Sequence, residues 1–279
     1  MDIKTVAILY NPHTARARPL ADEIVAWLAQ QGRETWLGPT DDAPATLDCG
    51  PVDLFVTLGG DGSILRTAQT AAPCGTPILG INLGRVGFLT EAEPEAWRDA
   101  LSRVLTGDCW IEERMMLRAT ARRNGETLAQ ADALNDVVIG RGAHPHMVHL
   151  RVEVNGGLLT TYSADGLIAA TPTGSTAYAL AAGGPLLPPE MRAVLLVPVA
   201  PHLCLAQPIL LPEESLVRIV VAGSRPALLT ADGVAQAGLE DGDEVRVQVS
   251  PHVARFARVR ERTYFYKTLI ERLAPRNEG

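Results

Sequence analysis

The sequence predicts an N-terminal α/β domain on a parallel sheet, a mostly β domain after it, and a closing helix that packs back on the first domain. Three observations carry this. Strand and helix patterns alternate from Thr5 to Leu105. After Trp110 the texture changes to short strand-like segments with the two-residue turn signals Asn155-Gly156 and Asp232-Gly233. Thr263 to Leu273 then returns to a helical pattern.

Thr5 to Tyr10 is a short apolar run that Asn11-Pro12 ends. From Pro19 to Gln31 the apolar residues Leu20, Ile24, Trp27 and Leu28 recur at helical spacing, and Gly32 is the stop. Glu34 to Leu37 reads as a second strand, and Asp41 to Pro51 as a loop. Val52 to Leu58 is the third strand, Ser63 to Ala72 a helix, Pro77 to Ile81 the fourth strand, and Pro94 to Leu105 a helix. Repeated β-α-β order implies parallel strands with helices on both faces, a Rossmann-like arrangement. In such sheets ligands bind beyond the carboxyl ends of the strands.

The second part offers strands at Met116–Arg122, Ala133–Ile139, Val148–Val154, Leu158–Tyr162, Leu167–Ala170, Ala193–Val197, Leu216–Ala222, Ala227–Thr230 and Glu244–Val249. The expected domains are therefore 1–110, 111–260 and a returning helix in 261–279. No internal repeat or low-complexity tract is present.

Bulk properties narrow the function. The 279 residues are 47% hydrophobic and 20% charged, ordinary for a globular chain, with a formal net charge of -7. An acidic chain lacks the basic footprint of a nucleic-acid binder. No apolar run is long enough to span a bilayer, and MDIKTVAILYNP lacks the basic and apolar regions of a signal peptide. Cys49, Cys74, Cys109 and Cys204 form no C-x-x-C pair, which favours reduced thiols. The expectation is a cytoplasmic protein without membrane or nucleic-acid partners.

Gly59-Gly60-Asp61-Gly62 lies at the carboxyl end of the third strand. Glycine turns at that place usually cradle phosphate. No lysine follows, so the turn is not a P-loop. The run lacks the third glycine of a dinucleotide fingerprint, and no acid stands near Leu79 to Asn82. The plainer reading is a tight strand-to-helix turn with Asp61 or Ser63 as helix cap. Asp61 argues for more. A carboxylate beside phosphate is repelled unless it holds a cation or takes a proton, and both tasks belong to phosphoryl transfer onto an alcohol.

Two further segments carry polar groups. In Ala164 to Leu186, Asp165-Gly166 precedes a strand, and Thr171-Pro172-Thr173-Gly174-Ser175-Thr176 opens a short helical stretch. It could line a sugar or phosphate, or be an N-capped helix start. Asn135-Asp136 heads an apolar strand; it is an Asx turn or a pair of groups for ribose hydroxyls. His144-Pro145-His146-Met147-Val148-His149 matches no zinc spacing.

GGDGS (59–63), NLGRVGFLTE (82–91), LNDVVI (134–139), DGLIAATPTGSTAYALAAGGPL (165–186) and LVPVAPH (196–202) follow one another across nearly the whole chain. Together they resemble a bacterial or archaeal-type NAD kinase. The glycine turn alone is shared with lipid kinases and phosphofructokinases; the T-P-T-G-S-T-A-Y run together with it is a strong signal. The resemblance implies phosphoryl transfer from ATP or polyphosphate to the 2′-hydroxyl of the adenosine ribose of NAD⁺, with Asp61 as proton acceptor. It places Gly62 beside the ligand, Arg66 at phosphate and Phe88 near adenine. Their plainer readings are a solvated arginine and a core aromatic. Asn135, Asp136, His146, Asp165, Thr176, Ala177, Tyr178, Ala179, Leu180, Ala181 and Ala200 would line the dinucleotide site. It also implies a β-sandwich-like second domain, self-association to a dimer or tetramer, and a divalent cation, Mg²⁺, arriving with ATP, for which no protein ligands are assigned.

The chain departs from that pattern in places. Asn135-Asp136 stands where the family usually has Asn-Glu, and Ser163 where many members have a basic residue. Val234 follows Asp232-Gly233 where a glutamine is common, with Gln236 nearby. A diacylglycerol-type lipid kinase is the competing enzyme, but no basic amphipathic helix offers membrane affinity. A non-catalytic dinucleotide sensor is the competing binder.

Overall fold

A computed structural model describes residues 2–41, 51–84, 87–143 and 145–273. Most of the expected 41–51 loop, Cys49, His144, the 85–86 pair and the tail after 273 lie outside the described residues. The chain divides into two compact units: Met1–Glu113 with Ala254–Gly279, and Arg114–Val253.

In the first unit the strands are β1 (Thr5–Tyr10), β2 (Glu34–Pro39), β3 (Leu54–Gly59) and β4 (Ile78–Asn82). They lie parallel in the order β2-β1-β3-β4, and Phe256, near the end of the long strand β16 (Glu244–Arg258), pairs in parallel with Ile78 of β4. This unit's helices among the described residues include α1 (Ala17–Gln30), α2 (Asp61–Cys74) and α3 (Trp97–Thr106). β3 and β4 are buried along their whole length, as strands covered on both faces must be. Helix α1 buries Ala17, Ala21, Ile24 and Leu28. Its Trp27 meets Trp97 of α3 edge-on at 5.6 Å between ring centres. The helical pattern after Thr263 is α5 (Tyr264–Leu273), which belongs to this unit.

The second unit is antiparallel. One sheet runs from the first part of β16 through β13 (Val217–Val221) and β8 (Val148–Val154) to β9 (Gly157–Ala164). β5 (Trp110–Arg123) pairs with β6 (Glu126–Ala133). The second, six-stranded sheet has the order β12-β11-β10-β7-β14-β15. Its strands are β7 (Asp136–Gly140), β10 (Gly166–Ala170), β11 (Ala193–Val199), β12 (Ile209–Pro212), β14 (Ala227–Ala231) and β15 (Val234–Leu239). Alternate residues of both sheets, such as Leu150, Val152, Val217 and Ile219 with Leu167, Ala169, Leu196 and Leu229, form one core. That is sandwich packing. The other face of β10 is covered as well: Ile168 and Ala170 pack with Ala179 of the short helix α4 (Tyr178–Ala181).

Asn155-Gly156 and Asp232-Gly233 form the expected hairpins, with positive φ at both residues of each pair. Cys109 and Cys204 are free, as expected, but Cys74 is disulfide-bonded, so the reduced-thiol expectation fails for it. No helix among the described residues is long and apolar enough to cross a membrane.

Candidate functional site

Asp61 does not cap its helix. Gly60 is the N-cap, with extended backbone (φ −99°, ψ −169°) and no side-chain cap bond, and Asp61 opens the first turn. The Asp61 carboxylate points instead to the chain after β4. Phe88 N–H donates to Oδ2 at 2.8 Å and Leu89 N–H to Oδ1 at 3.0 Å. Both oxygens are held by backbone donors while the residue stays partly exposed. The capping reading of Asp61 is therefore set aside. Ser63 does not cap either; it is buried inside the turn.

The segment that supplies these donors leaves and rejoins the sheet at β4. Asn82 pairs with Gly59 at the strand ends, and its side chain bonds both the N–H and the C=O of Gly84. Glu91 N–H returns to Gly80 O at 2.8 Å. Gly87 sits against the carboxylate: a Cβ there would lie 2.0 Å from Asp61 Oδ1. Phe88 is half-buried, and its ring meets Phe265 at 6.3 Å between centres. Gly62 is exposed, and Arg66, one turn along, is exposed and paired with Asp41 at 3.2 Å.

The second unit holds another polar constellation, built around the start of β7. The Asp232 carboxylate accepts from three successive backbone N–H groups: Leu134 at 2.9 Å, Asn135 at 2.7 Å and Asp136 at 3.2 Å. From the other side, Thr171 N–H donates to Asn135 O at 2.9 Å and Thr171 Oγ1 to Leu134 O at 2.5 Å. Gly174 approaches so closely that its Cβ would be 2.1 Å from Asn135 O. Asn135 and Asp136 are thus fixed at the backbone by groups from β14–β15 and from the 171–176 turn. Asp136 is buried, and burial, with the Asp232 charge second, pushes its carboxyl up to about 7.

The remaining expected residues are spread over this unit. Asp165 is paired with Arg141 at 3.1 Å. Thr176 and Ala177 are half-buried, Tyr178 and Ala181 exposed, Leu180 half-buried, and Ala179 belongs to the core. Ala200 is exposed in left-handed backbone, φ +46°. His146 is exposed. Gln236 bonds its own hairpin through Val234 O. The sequence does not single out Gly87 or the clamp role of Asp232. A glycine two residues before a buried Leu, and an acid in a hairpin turn, have plain local explanations.

A parallel α/β unit with an acid at a strand-end glycine turn, followed by a β sandwich, is an arrangement found in phosphotransferases. Residues 39–109 match the family described as ATP-NAD kinase N-terminal domain, and residues 134–259 match the ATP-NAD kinase C-terminal domain. The NAD kinase of Heliobacterium modesticaldum is 43% identical, over 94% of this chain and 95% of its own. That of Chloroflexus aggregans is 40% identical, over 97% and 99%. Among solved structures, yeast NADH kinase complexed with NADH is similar with a TM-score of 0.83 at 26% identity, covering 100% of this chain and 89% of its own. An NAD kinase from Archaeoglobus fulgidus in complex with ATP gives 0.76 at 27% identity, covering 96% and 98%. The chain belongs to the NAD kinase family, whose members are phosphotransferases.

Proposed function

We propose that this chain phosphorylates the 2′-hydroxyl of the adenosine ribose of NAD⁺, with ATP as donor and Asp61 as general base. The observation that carries the reading is the Asp61 carboxylate itself: it sits at a helix start beyond the sheet, is excused from capping, and is oriented by Phe88 and Leu89 N–H groups. Those bonds leave lone pairs for the acceptor alcohol. As the alcohol oxygen attacks the terminal phosphorus, its proton passes to Asp61 and ADP departs. A placed base of this kind contributes about 10²–10⁴ in rate. ATP as donor is supported by the ATP complex of the Archaeoglobus relative, and a dinucleotide acceptor by the NADH complex of the yeast enzyme.

Asn135, Asp136, His146, Asp165, Thr176 to Ala181 and Ala200 are assigned to the dinucleotide, and Arg66 to phosphate. Among the described residues no group of three or more His, Cys, Asp or Glu could hold a metal ion. The divalent cation is assigned to the nucleotide substrate, where it offsets triphosphate charge. Self-association to a dimer or tetramer is part of the same reading, and sedimentation tests it.

The test is incubation with ATP, Mg²⁺ and NAD⁺, read with an NADP⁺-specific dehydrogenase, with polyphosphate replacing ATP in a second arm. Asp61→Asn should lower turnover by about 10²–10⁴ while NAD⁺ still binds. NAD⁺ binding by calorimetry without NADP⁺ formed in either arm would favour the sensor instead.

A further inference from the structure

Leu89 is held at both of its backbone ends. Its N–H donates to Asp61 Oδ1 at 3.0 Å, and its C=O accepts from Arg258 Nη1 at 2.9 Å. Arg258 is the last residue of β16, and its side chain is only 7% exposed. Its Nε donates to Glu112 Oε2 at 2.7 Å, and Nη1 also reaches Glu91 Oε2 at 3.2 Å. The other Glu91 oxygen accepts from Val259 N–H at 2.8 Å and Arg260 N–H at 2.7 Å. The guanidinium lies 4.8 Å from the centre of the Phe256 ring, which limits its swing.

One cation and two carboxylates are buried in this network. Burying charge is costly, and apolar side chains of the same volume often stabilise a fold as well or better. Stability alone is therefore a weak reason for these residues. What the network also does is hold the Leu89 C=O, on the residue whose N–H donates to Asp61.

Resting on the reading of Asp61 as the base, we propose that Arg258 is a positioning residue for phosphoryl transfer. Anchored by Glu112 and Glu91, it holds the Leu89 C=O and so restrains that residue, so that the Phe88 and Leu89 N–H groups hold the Asp61 carboxylate in one orientation toward the acceptor hydroxyl. A misplacement on the order of 1 Å at a reacting group costs about 10²-fold in rate, which is the scale on which such a support matters.

The test is a double-mutant cycle between Arg258→Lys and Asp61→Asn, with kcat, KM for NAD⁺ and thermal midpoint measured for each. Lysine keeps the charge but cannot bond Glu112 and Leu89 in the same fork. Arg258→Lys should lower kcat by roughly 10–10²-fold with KM changed by less than about twofold. In the Asp61→Asn background, where no base is left to orient, it should cause no further loss of residual rate. If Arg258→Lys folds poorly, Arg258→Met combined with Glu112→Met removes the pair together and serves in the same cycle. An unchanged kcat, or an equal fold-loss in both backgrounds, would overturn the inference and leave Arg258 a structural residue. Near-normal turnover in Asp61→Asn alone would overturn the base assignment, and this inference with it.

Discussion

Gly87 and the Asp61 carboxylate are in such close approach that a single added methyl group, placed 2.0 Å from Oδ1, would overlap it. The contact explains why a glycine stands just before the two N–H donors. It also separates orientation of the carboxylate from its chemistry, because the acid itself can be left in place.

Gly87→Ala should therefore turn Asp61 aside without removing it. Turnover is expected to fall by about 10–10²-fold, with the affinity for NAD⁺ and the melting temperature little changed. Steady-state kinetics beside a melting curve checks this. A variant with full turnover would mean that Asp61 need not keep this orientation.

Gly174→Ala meets a harder obstacle. Its Cβ would lie 2.1 Å from Asn135 O and 2.5 Å from Asn135 C, backbone atoms that Asp232 and Thr171 already pin. Overpacking against a backbone that cannot give costs roughly 1–3 kcal/mol. Denaturant unfolding should show that loss, and KM for NAD⁺ should rise because the Asn135-Asp136 pair is displaced.

Asp136 makes stability depend on pH. Its carboxyl moves from an ordinary 3.8 to about 7 on folding, through burial first and the Asp232 charge second. Below the ordinary value both folded and unfolded chains carry the proton. Between that value and about 7 the unfolded chain releases its proton while the folded one keeps it. The contribution is therefore fully present at the acidic end and is lost as pH rises through about 7. Asp136→Asn has no proton to lose, so its gain over the parent should grow as pH rises toward 8 and shrink toward about pH 5. Calorimetric melts across that range check it; a gap independent of pH would refute the assignment.

Much of the first unit is legible in the sequence because buried parallel strands read as unbroken apolar runs. Leu54–Gly59 and Ile78–Asn82 fall close to their expected places. The second unit is harder. β6 carries the sequence ETLAQADA, whose inward residues Ala129, Ala131 and Ala133 alternate with Gln130 and Asp132 but are too small to give a strong apolar signal. Its signal lies one step earlier, in Asn124-Gly125, whose positive φ values close the β5–β6 hairpin. The long strand β16 continues through Ser250-Pro251, which reads locally as a strand end. In each unit the polar residues announce themselves, Asp61 in the first and the Asn135-Asp136 pair in the second. Their supports do not. Gly87, Arg258 and Asp232 act on residues far away along the chain: the Phe88–Asp61, Asn135–Asp232 and Arg258–Leu89 bonds span 27, 97 and 169 positions. Local spacing carries no trace of such partnerships.

The opening of α2 leaves a local opportunity unused. A Ser or Asn at position 60 would tie off the leading turn and add roughly a few tenths of a kcal/mol over glycine. Gly60 forgoes it and keeps the entrance to the helix bare, with the positive end of the peptide dipoles turned toward whatever arrives beside Asp61. A thermostabilisation campaign that ranked positions by helix capping alone would choose this residue early, and would put a side chain into the open space beside Asp61.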